Sequence, residues 1–284
     1  MTMTTTTTPP LGTYGLWRAA PGVTSDLAST VEQLGFGTLW IGGSPDADLA
    51  IVETALEATT SLTVATGIVN IWSADAREVA ASYHRLAERF PGRFLLGIGT
   101  GHPEATKEYK KPYAAMVEYL DVLDEEGVPA EGRVLAALGP RVMQLAADRS
   151  AGAHPYLTIP EHTRGAREIL GPDKILAPEH KLVLEADPER AREIGRPPVN
   201  NPYLHLRNYT NNLERLGYSP EEIADGGSDR LIDALVAHGS ETDIVDAVTE
   251  HLTAGADHVA LHVLPDDKDP SDDLRRLAEV IGGR

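Results

Sequence analysis

Short apolar, β-rich runs alternate with amphipathic helical stretches along most of the chain, and this alternation restricts it to a parallel sheet covered by helices. Strands are expected at residues 11–17, 38–41 and 62–69, with a fourth opening at residue 93; helices fall between them at 26–34, 48–59 and 75–88. Gly35 caps the first helix. The second half adds strand-like runs at 133–138, 153–158, 181–185 and 258–264. Eight strands favour a (β/α)8 TIM barrel over an open doubly wound sheet, and they place the active site on the loops after the strands' carboxyl ends. Residues 197–238 show no strand and carry a turn-and-cap signal at Ser219-Pro220-Glu221-Glu222, so they read as a helical insertion lining one side of the cleft. A 284-residue chain that is 42% hydrophobic suits one domain over residues 11–284, with the threonine-rich residues 1–10 as a disordered tail.

Charge narrows the choice of partner. The chain has 25 Lys and Arg against 43 Asp and Glu, a net charge of −18, which argues against nucleic acid and anionic membranes. An anionic ligand would therefore need a local basic pocket. The absence of cysteine excludes disulfides, thiol nucleophiles and zinc-thiolate sites, and fits a cytoplasmic protein. No run approaches the roughly 20 apolar residues of a membrane helix, and residues 1–10 have neither a basic nor an apolar targeting segment.

The segment 93–102 carries the chemistry. An apolar run opens into Gly97-Ile98-Gly99-Thr100-Gly101 and then delivers His102. Glycines let the backbone approach a flat or anionic ligand and free its amides as donors, while an imidazole titrates near neutral pH. A tight strand-to-helix turn explains the same glycines without a ligand.

Taken with the strand order, Thr38-Leu39-Trp40-Ile41-Gly42-Gly43-Ser44, Ala65-Thr66-Gly67-Ile68 and Leu182-Val183-Leu184-Glu185-Ala186-Asp187-Pro188, this segment gives the chain from residue 11 to 281 a likeness to a known family. It resembles the bacterial luciferase-like family, and within it the actinobacterial branch of oxidoreductases that use the deazaflavin coenzyme F420. The resemblance implies a barrel with F420 or, alternatively, FMN at its mouth, and a homodimer. It also implies a bulged third strand with a non-proline cis peptide at Gly67-Ile68 backing the ring, from which Val69 and Asn70 continue toward the cleft. In the deazaflavin branch strand two ends Trp-Ile-Thr-Asp-His and strand four Gly-Thr-Gly-Glu, with His and Glu moving protons. Here Trp40 and Ile41 match, Gly42, Gly43 and Ser44 replace the rest, and His102 stands where that branch has Glu. His102 is thus an acid–base candidate, with ligand hydrogen bonding or helix capping as the alternative. Trp40 reads as facing substrate or ring, or as core; Ser44 reads as a loop residue that donates to the cofactor.

The cofactor's anionic tail needs donors. Thr158, His162, Thr163 and Arg164 follow the sixth run at a helix start, where unpaired amides and the helix dipole favour a phosphate; helix capping is the competing reading. Arg167, Lys174 and Arg141 are lesser candidates. His258 and His262, four apart on a strand, share one face, which suits either a metal pair or a packed interior, and no third ligand has convincing spacing. The acidic stretch 266–273 lacks the glycine and terminal glutamate of a calcium loop. Tyr203, His205, Tyr209 and Asn212 are candidates for substrate contact or for a helical core stripe. The leading function is hydride transfer between F420 and a small organic substrate. An FMN-dependent monooxygenase and a non-catalytic flavin-binding protein are the alternatives, and a metal-dependent hydrolase ranks below them.

Overall fold

A computed structural model describes residues 8–101 and 111–283. The strands are β1 Tyr14–Ala19, β2 Thr38–Gly42, β3 Thr63–Thr66, β4 Val69–Asn70, β5 Phe94–Gly99, β6 Arg133–Leu135, β7 Gly152–Ala153, β8 Ile175–Leu176, β9 Glu179–Val183, β10 Val236–His238 and β11 Val259–Val263. Their pairings are parallel, in the order β10-β9-β11-β1-β2-β3-β5-β6-β7-β8, with β4 on β5.

The sheet curls, and one stretch of chain carries its edge strand β8 into β9, near the other edge. Only Ala177 and Pro178 separate β8 from β9. On one side Ala177 N donates to Ala153 O at 3.0 Å and Glu179 N to Pro155 O at 2.9 Å. On the other, Asp257 N donates to Leu176 O and Ala260 N to Pro178 O, both at 2.9 Å.

Helices cover the outside: α1 Ser25–Gln33, α2 Ala50–Glu57, α3 Ala76–Arg89, α4 Pro112–Glu125, α5 Pro140–Arg149, α6 Pro160–Leu170, α7 Pro188–Asn200, α8 Arg207–Arg215, α9 Pro220–Ile223, α10 Asp229–Leu235, α11 Glu241–Thr253 and α12 Ser271–Gly282. Local chemistry sets many starts. Thr24, Asp75, Asp187 and Ser228 accept from backbone amides of the first turn, and Ser219 with Glu222 and Ser240 with Asp243 form capping boxes. Between helices and sheet lies the main apolar core, which includes Leu16, Leu39, Val64, Leu96 and Leu261. A second cluster inside the sheet's curl holds Trp17, Trp40, Ala65, Leu95, Val134 and Ala260.

Several expected boundaries move. The run 153–158 is strand only at its start, since Pro155 has no amide to donate and Leu157 adopts φ 55°. The strand expected at 181–185 is β9, which begins at 179 and is preceded by the short strand β8 at 175. The interval 197–238 contains α8, α9 and α10, but it ends in a strand, β10, which pairs with β9 and corrects the all-helical expectation. Pro197 does not break the chain into a new element; α7 runs through it to Asn200.

Candidate functional site

The carboxyl ends of the strands converge on one cavity of about 420 Å³. The turn after β2 contributes Gly43 and Ser44, the β3–β4 bend Gly67, Ile68 and Asn70, the end of β5 Thr100 and Gly101, the β6 turn Ala136 to Gly139, and the β7 turn His154 and Tyr156. Tyr203, Asn208 and Tyr209, from the 197–238 interval, form another wall, and Tyr113 and Met116 of α4 a further one. None of the described lining residues is Asp, Glu, Lys or Arg. The walls suit a planar, largely apolar ligand.

Missing side chains shape this cavity. The peptide Gly67-Ile68 is cis, as the resemblance implied. A Cβ on Gly67 would lie 2.8 Å from Trp17 Nε1 and 3.1 Å from His154 Nε2, and one on Gly99 would lie 2.7 Å from Ile68 Cγ1. Gly67 therefore lets Trp17 and His154 close in from the interior, and Gly99 lets Ile68 lie flat against β5.

A stack of aromatic and imidazole rings sits on the interior side. The Trp40 indole is parallel to the His154 ring, with centroids 4.0 Å apart and planes 8° off. Its Nε1 donates to His258 Nε2 at 3.0 Å, and His258 Nδ1 in turn donates to Gly12 O at 2.8 Å. His154 Nδ1 donates to Ala177 O at 2.6 Å, so the neutral ring presents Nε2 as an acceptor; that atom is buried and has no partner. Burial pushes His154 and His258 down to about 4, so both are neutral near pH 7.

Beside this stack lies a buried ionic cluster. Lys181 Nζ donates to Glu179 Oε1 and to Tyr156 Oη, each at 2.7 Å, and Glu179 Oε2 accepts from Leu157 N at 2.9 Å. His262 Nδ1 is 2.7 Å from Glu179 Oε1, and its Nε2 is 2.7 Å from Asp266 Oδ1. Burial alone would raise the Glu179 carboxyl, yet Lys181 and His262 outweigh it and hold it well below the carboxylate range. Burial pulls Lys181 below its ordinary value despite Glu179, and it holds Tyr156 well above the phenol range, with the Glu179 charge adding to it.

The residues expected from the sequence divide into groups. Ser44, Gly67, Ile68, Asn70, Thr100 and Gly101 line the cavity. Val69 is fully buried behind it, Gly99 supports Ile68, and Gly42 makes room for Trp17, whose Cζ2 would lie 1.9 Å from a Cβ there. Trp40 is 0% exposed and lies beneath the cavity rather than on it.

The expected phosphate cluster does not line the cavity. His162 Nε2 meets Leu138 O at 2.8 Å, Thr163 Oγ1 meets His251 Nδ1 at 2.7 Å, Thr158 is buried, and Arg164 is exposed. The reason is helical phase: α6 turns His162 toward the turn after β6 and Thr163 toward α11. Arg167 and Lys174 bond backbone carbonyls, and Arg141 lies over the Tyr113 ring, 3.7 Å from its centroid. His258 and His262 are held by Trp40, Gly12, Glu179 and Asp266, and among the described residues no group of three or more His, Cys, Asp or Glu is placed for a metal. Of the insertion candidates, Tyr203 and Tyr209 line the cavity, whereas His205 is exposed elsewhere and Asn212 accepts from Arg215. His102 lies outside the described residues.

The sequence reading missed His154, Tyr156 and the Glu179–Lys181 pair. Counting 153–158 as strand hid the first two. The signal for the pair was present: two opposite charges two residues apart in an apolar strand share one face.

Fold and site together define an α/β protein with a curled parallel sheet and a ligand cavity at the strands' carboxyl ends. Residues 1–126 match the family described as luciferase-like monooxygenase, in line with the resemblance read from the sequence. Among curated proteins, none matches the chain.

Solved structures share the fold along nearly its whole length. An F420-dependent secondary alcohol dehydrogenase in complex with an F420-acetone adduct is 16% identical, with a TM-score of 0.72 over 95% of this chain and 98% of that one. The coenzyme F420 dependent tetrahydromethanopterin reductase from Methanopyrus kandleri is also 16% identical, with a TM-score of 0.72 over 94% and 98%. The oxygenating constituent of 3,6-diketocamphane monooxygenase from Pseudomonas putida, in complex with FMN, is 13% identical, with a TM-score of 0.68 over 94% and 96%. No described helix is long and apolar enough to cross a membrane.

Proposed function

We propose that the chain is a luciferase-like oxidoreductase that transfers a hydride between coenzyme F420 and a small organic substrate, and that its curled sheet acts as a closed (β/α)8 barrel with the coenzyme ring at the mouth. One observation carries the reading: a largely apolar cavity backed by Gly67 and Ile68, with the unpartnered Nε2 of a neutral, buried His154 on its interior side. A planar ring with N–H and carbonyl edges fits such a place. Ile68 and Gly67 would back it, Asn70 and the Thr100-Gly101 backbone would meet its polar edge, and His154 Nε2 would accept from an N–H donor. Tyr113, Tyr203 and Tyr209 would exclude water from the substrate side. When bound, the coenzyme supplies the two-electron chemistry and the protein supplies orientation. His102 remains a proton-handling candidate on the sequence reading alone.

Two of the relatives above use F420, and the monooxygenase binds FMN, so calorimetric titration with each coenzyme is the deciding experiment. Binding of oxidised F420 in the micromolar range, about −8 kcal/mol or better, with FMN at least tenfold weaker, is the expected result. Preference for FMN would move the assignment to oxygen chemistry. Binding of neither would overturn it.

A further inference from the structure

The buried Glu179–Lys181 pair has no evident value as a stabiliser. Taking both charges out of water costs several kcal/mol per ion, and well-packed apolar residues often serve as well. What the pair does is hold Tyr156. Both side chains are 0% exposed, and they work on the tyrosine from two directions. Glu179 Oε2 fixes the amide of Leu157, the residue that follows it, in a left-handed conformation with φ 55°. Lys181 Nζ donates to the hydroxyl and lies 4.0 Å from the ring centroid, and the hydroxyl also hydrogen-bonds Tyr203 of the facing wall. The ring is packed between Trp17 and Tyr203, each with its centroid 5.3 Å away. Tyr156 is thus a cavity-lining phenol whose oxygen is held by an ammonium.

The contacts continue to solvent. Lys181 Nζ is 3.2 Å from His262 Nδ1, and His262 Nε2 is 2.7 Å from Asp266 Oδ1, whose side chain is 43% exposed and faces Arg18. The charged or titratable groups around Tyr156 are therefore Lys181, Glu179 and His262 from the sheet, Tyr203 and Tyr209 from the 197–238 wall, and Asp266 and Arg18 at the outer end.

We propose that Tyr156 is the group that exchanges a proton with the substrate oxygen, and that Lys181 positions its hydroxyl and refills it. The proposal rests on the hydride-transfer reading. A carbonyl carbon that accepts a hydride from a donor of the deazaflavin class passes its π pair to oxygen, and that oxygen takes the proton of Tyr156 Oη. The tyrosine O–H bond breaks as the substrate O–H bond forms. An N–H bond of Lys181 then breaks as the tyrosine O–H re-forms, and the amine is reprotonated by way of His262 and Asp266. Alcohol oxidation runs the same path outward. Burial acts in the useful sense on both partners, lowering Lys181 and raising Tyr156, so the ammonium is driven to refill the phenolate.

An oxyanion probe tests this without coenzyme. Binding of 4-nitrophenol to the coenzyme-free protein is followed by the absorbance of its phenolate form, alongside calorimetric F420 binding and melting temperature. Wild type is expected to bind 4-nitrophenolate about tenfold or more tighter than Tyr156→Phe, the range for one hydrogen bond to a charged group. Lys181→Met, which leaves the tyrosine in place, is expected to lose a comparable share. Both variants should keep F420 affinity within about threefold. Wild type and Tyr156→Phe binding the phenolate equally, or wild type not binding it, would overturn the proposal, as would a loss confined to His102→Ala. Failure of wild type to bind F420 would instead sink the hydride reading, and the probe result would separate the two. If Tyr156→Phe melts far below wild type, the comparison passes to Lys181→Met combined with Glu179→Gln, which removes both buried charges together, and unchanged phenolate affinity there overturns the proposal.

Discussion

Trp17 Nε1 donates to the carbonyl oxygen of Gly67 at 3.2 Å, and the same nitrogen lies 2.8 Å from where a Cβ on Gly67 would stand. The two residues fit only because one of them has no side chain. Gly67→Ala must push aside Trp17 and His154, both of which line the cavity. The expected cost is about 1 to 3 kcal/mol of stability with at least a tenfold loss of coenzyme affinity. Gly165→Ala is the control, since a Cβ there meets nothing within 4 Å on helix α6, and it should be neutral or gain up to about 1 kcal/mol. Urea unfolding and calorimetry of both variants check the pair.

Trp40 behaves differently. Its indole is fully buried, stacked under His154, and donates to His258. Trp40→Phe leaves His258 Nε2 without its donor and a small void, so we expect a loss of about 2 to 3 kcal/mol. Coenzyme affinity should change less than about threefold. A tenfold fall in affinity at unchanged stability would instead place Trp40 in contact with the ligand.

Much of the fold was legible in the sequence, because alternating apolar runs and capped helices are local patterns. The Thr100-Gly101 turn was legible too, since glycine after an apolar run marks a close approach, and the Gly67-Ile68 bend came from the family resemblance. What escaped depends on phase and on long-range contact. One residue of phase decides whether His162 and Thr163 of α6 face the cavity or, as they do, Leu138 O and His251. Tyr156 acquires its role from Lys181, 25 residues away in the chain, and no local window contains both.

Glu32 is a separate test of the electrostatics. Its Oε1 accepts from the amides of Thr60, Ser61 and Leu62 at 2.9, 2.6 and 3.0 Å, tying α1 to the start of β3. Burial raises its pKa, but these bonds outweigh that and bring it to about 2, against 4.5 unperturbed. A folded value below the unfolded one means the stabilisation is complete above about pH 4.5 and lost as pH falls through about 2. Glu32→Gln should cost on the order of 1 kcal/mol at pH 7, solvent screening having trimmed the figure. The gap to wild type should close toward pH 2, and urea midpoints of both proteins across this range measure it.

The buried histidines predict how the protein responds to acid. Burial pushes His154, His180 and His258 down to about 4 and His251 to about 2. Their hydrogen bonds favour the neutral rings: His251 Nε2 and His180 Nδ1 share one proton at 2.9 Å, and Thr163 Oγ1 pairs with His251 Nδ1 at 2.7 Å. Between about pH 6.5 and 4 the unfolded chain binds protons that the folded protein refuses, so stability must fall as pH falls through that window. Each histidine contributes a slope on the order of 1 kcal/mol per pH unit at most. The unfolding free energy should therefore be level near pH 7 to 8 and drop steeply from pH 6.5 toward 4. His258→Asn, which keeps a side-chain acceptor near Trp40 but cannot take up the proton, should flatten the drop by about one proton's worth while lowering stability at pH 7. A wild-type profile that stays level down to pH 4.5 would mean that these rings are hydrated or already charged in the folded state.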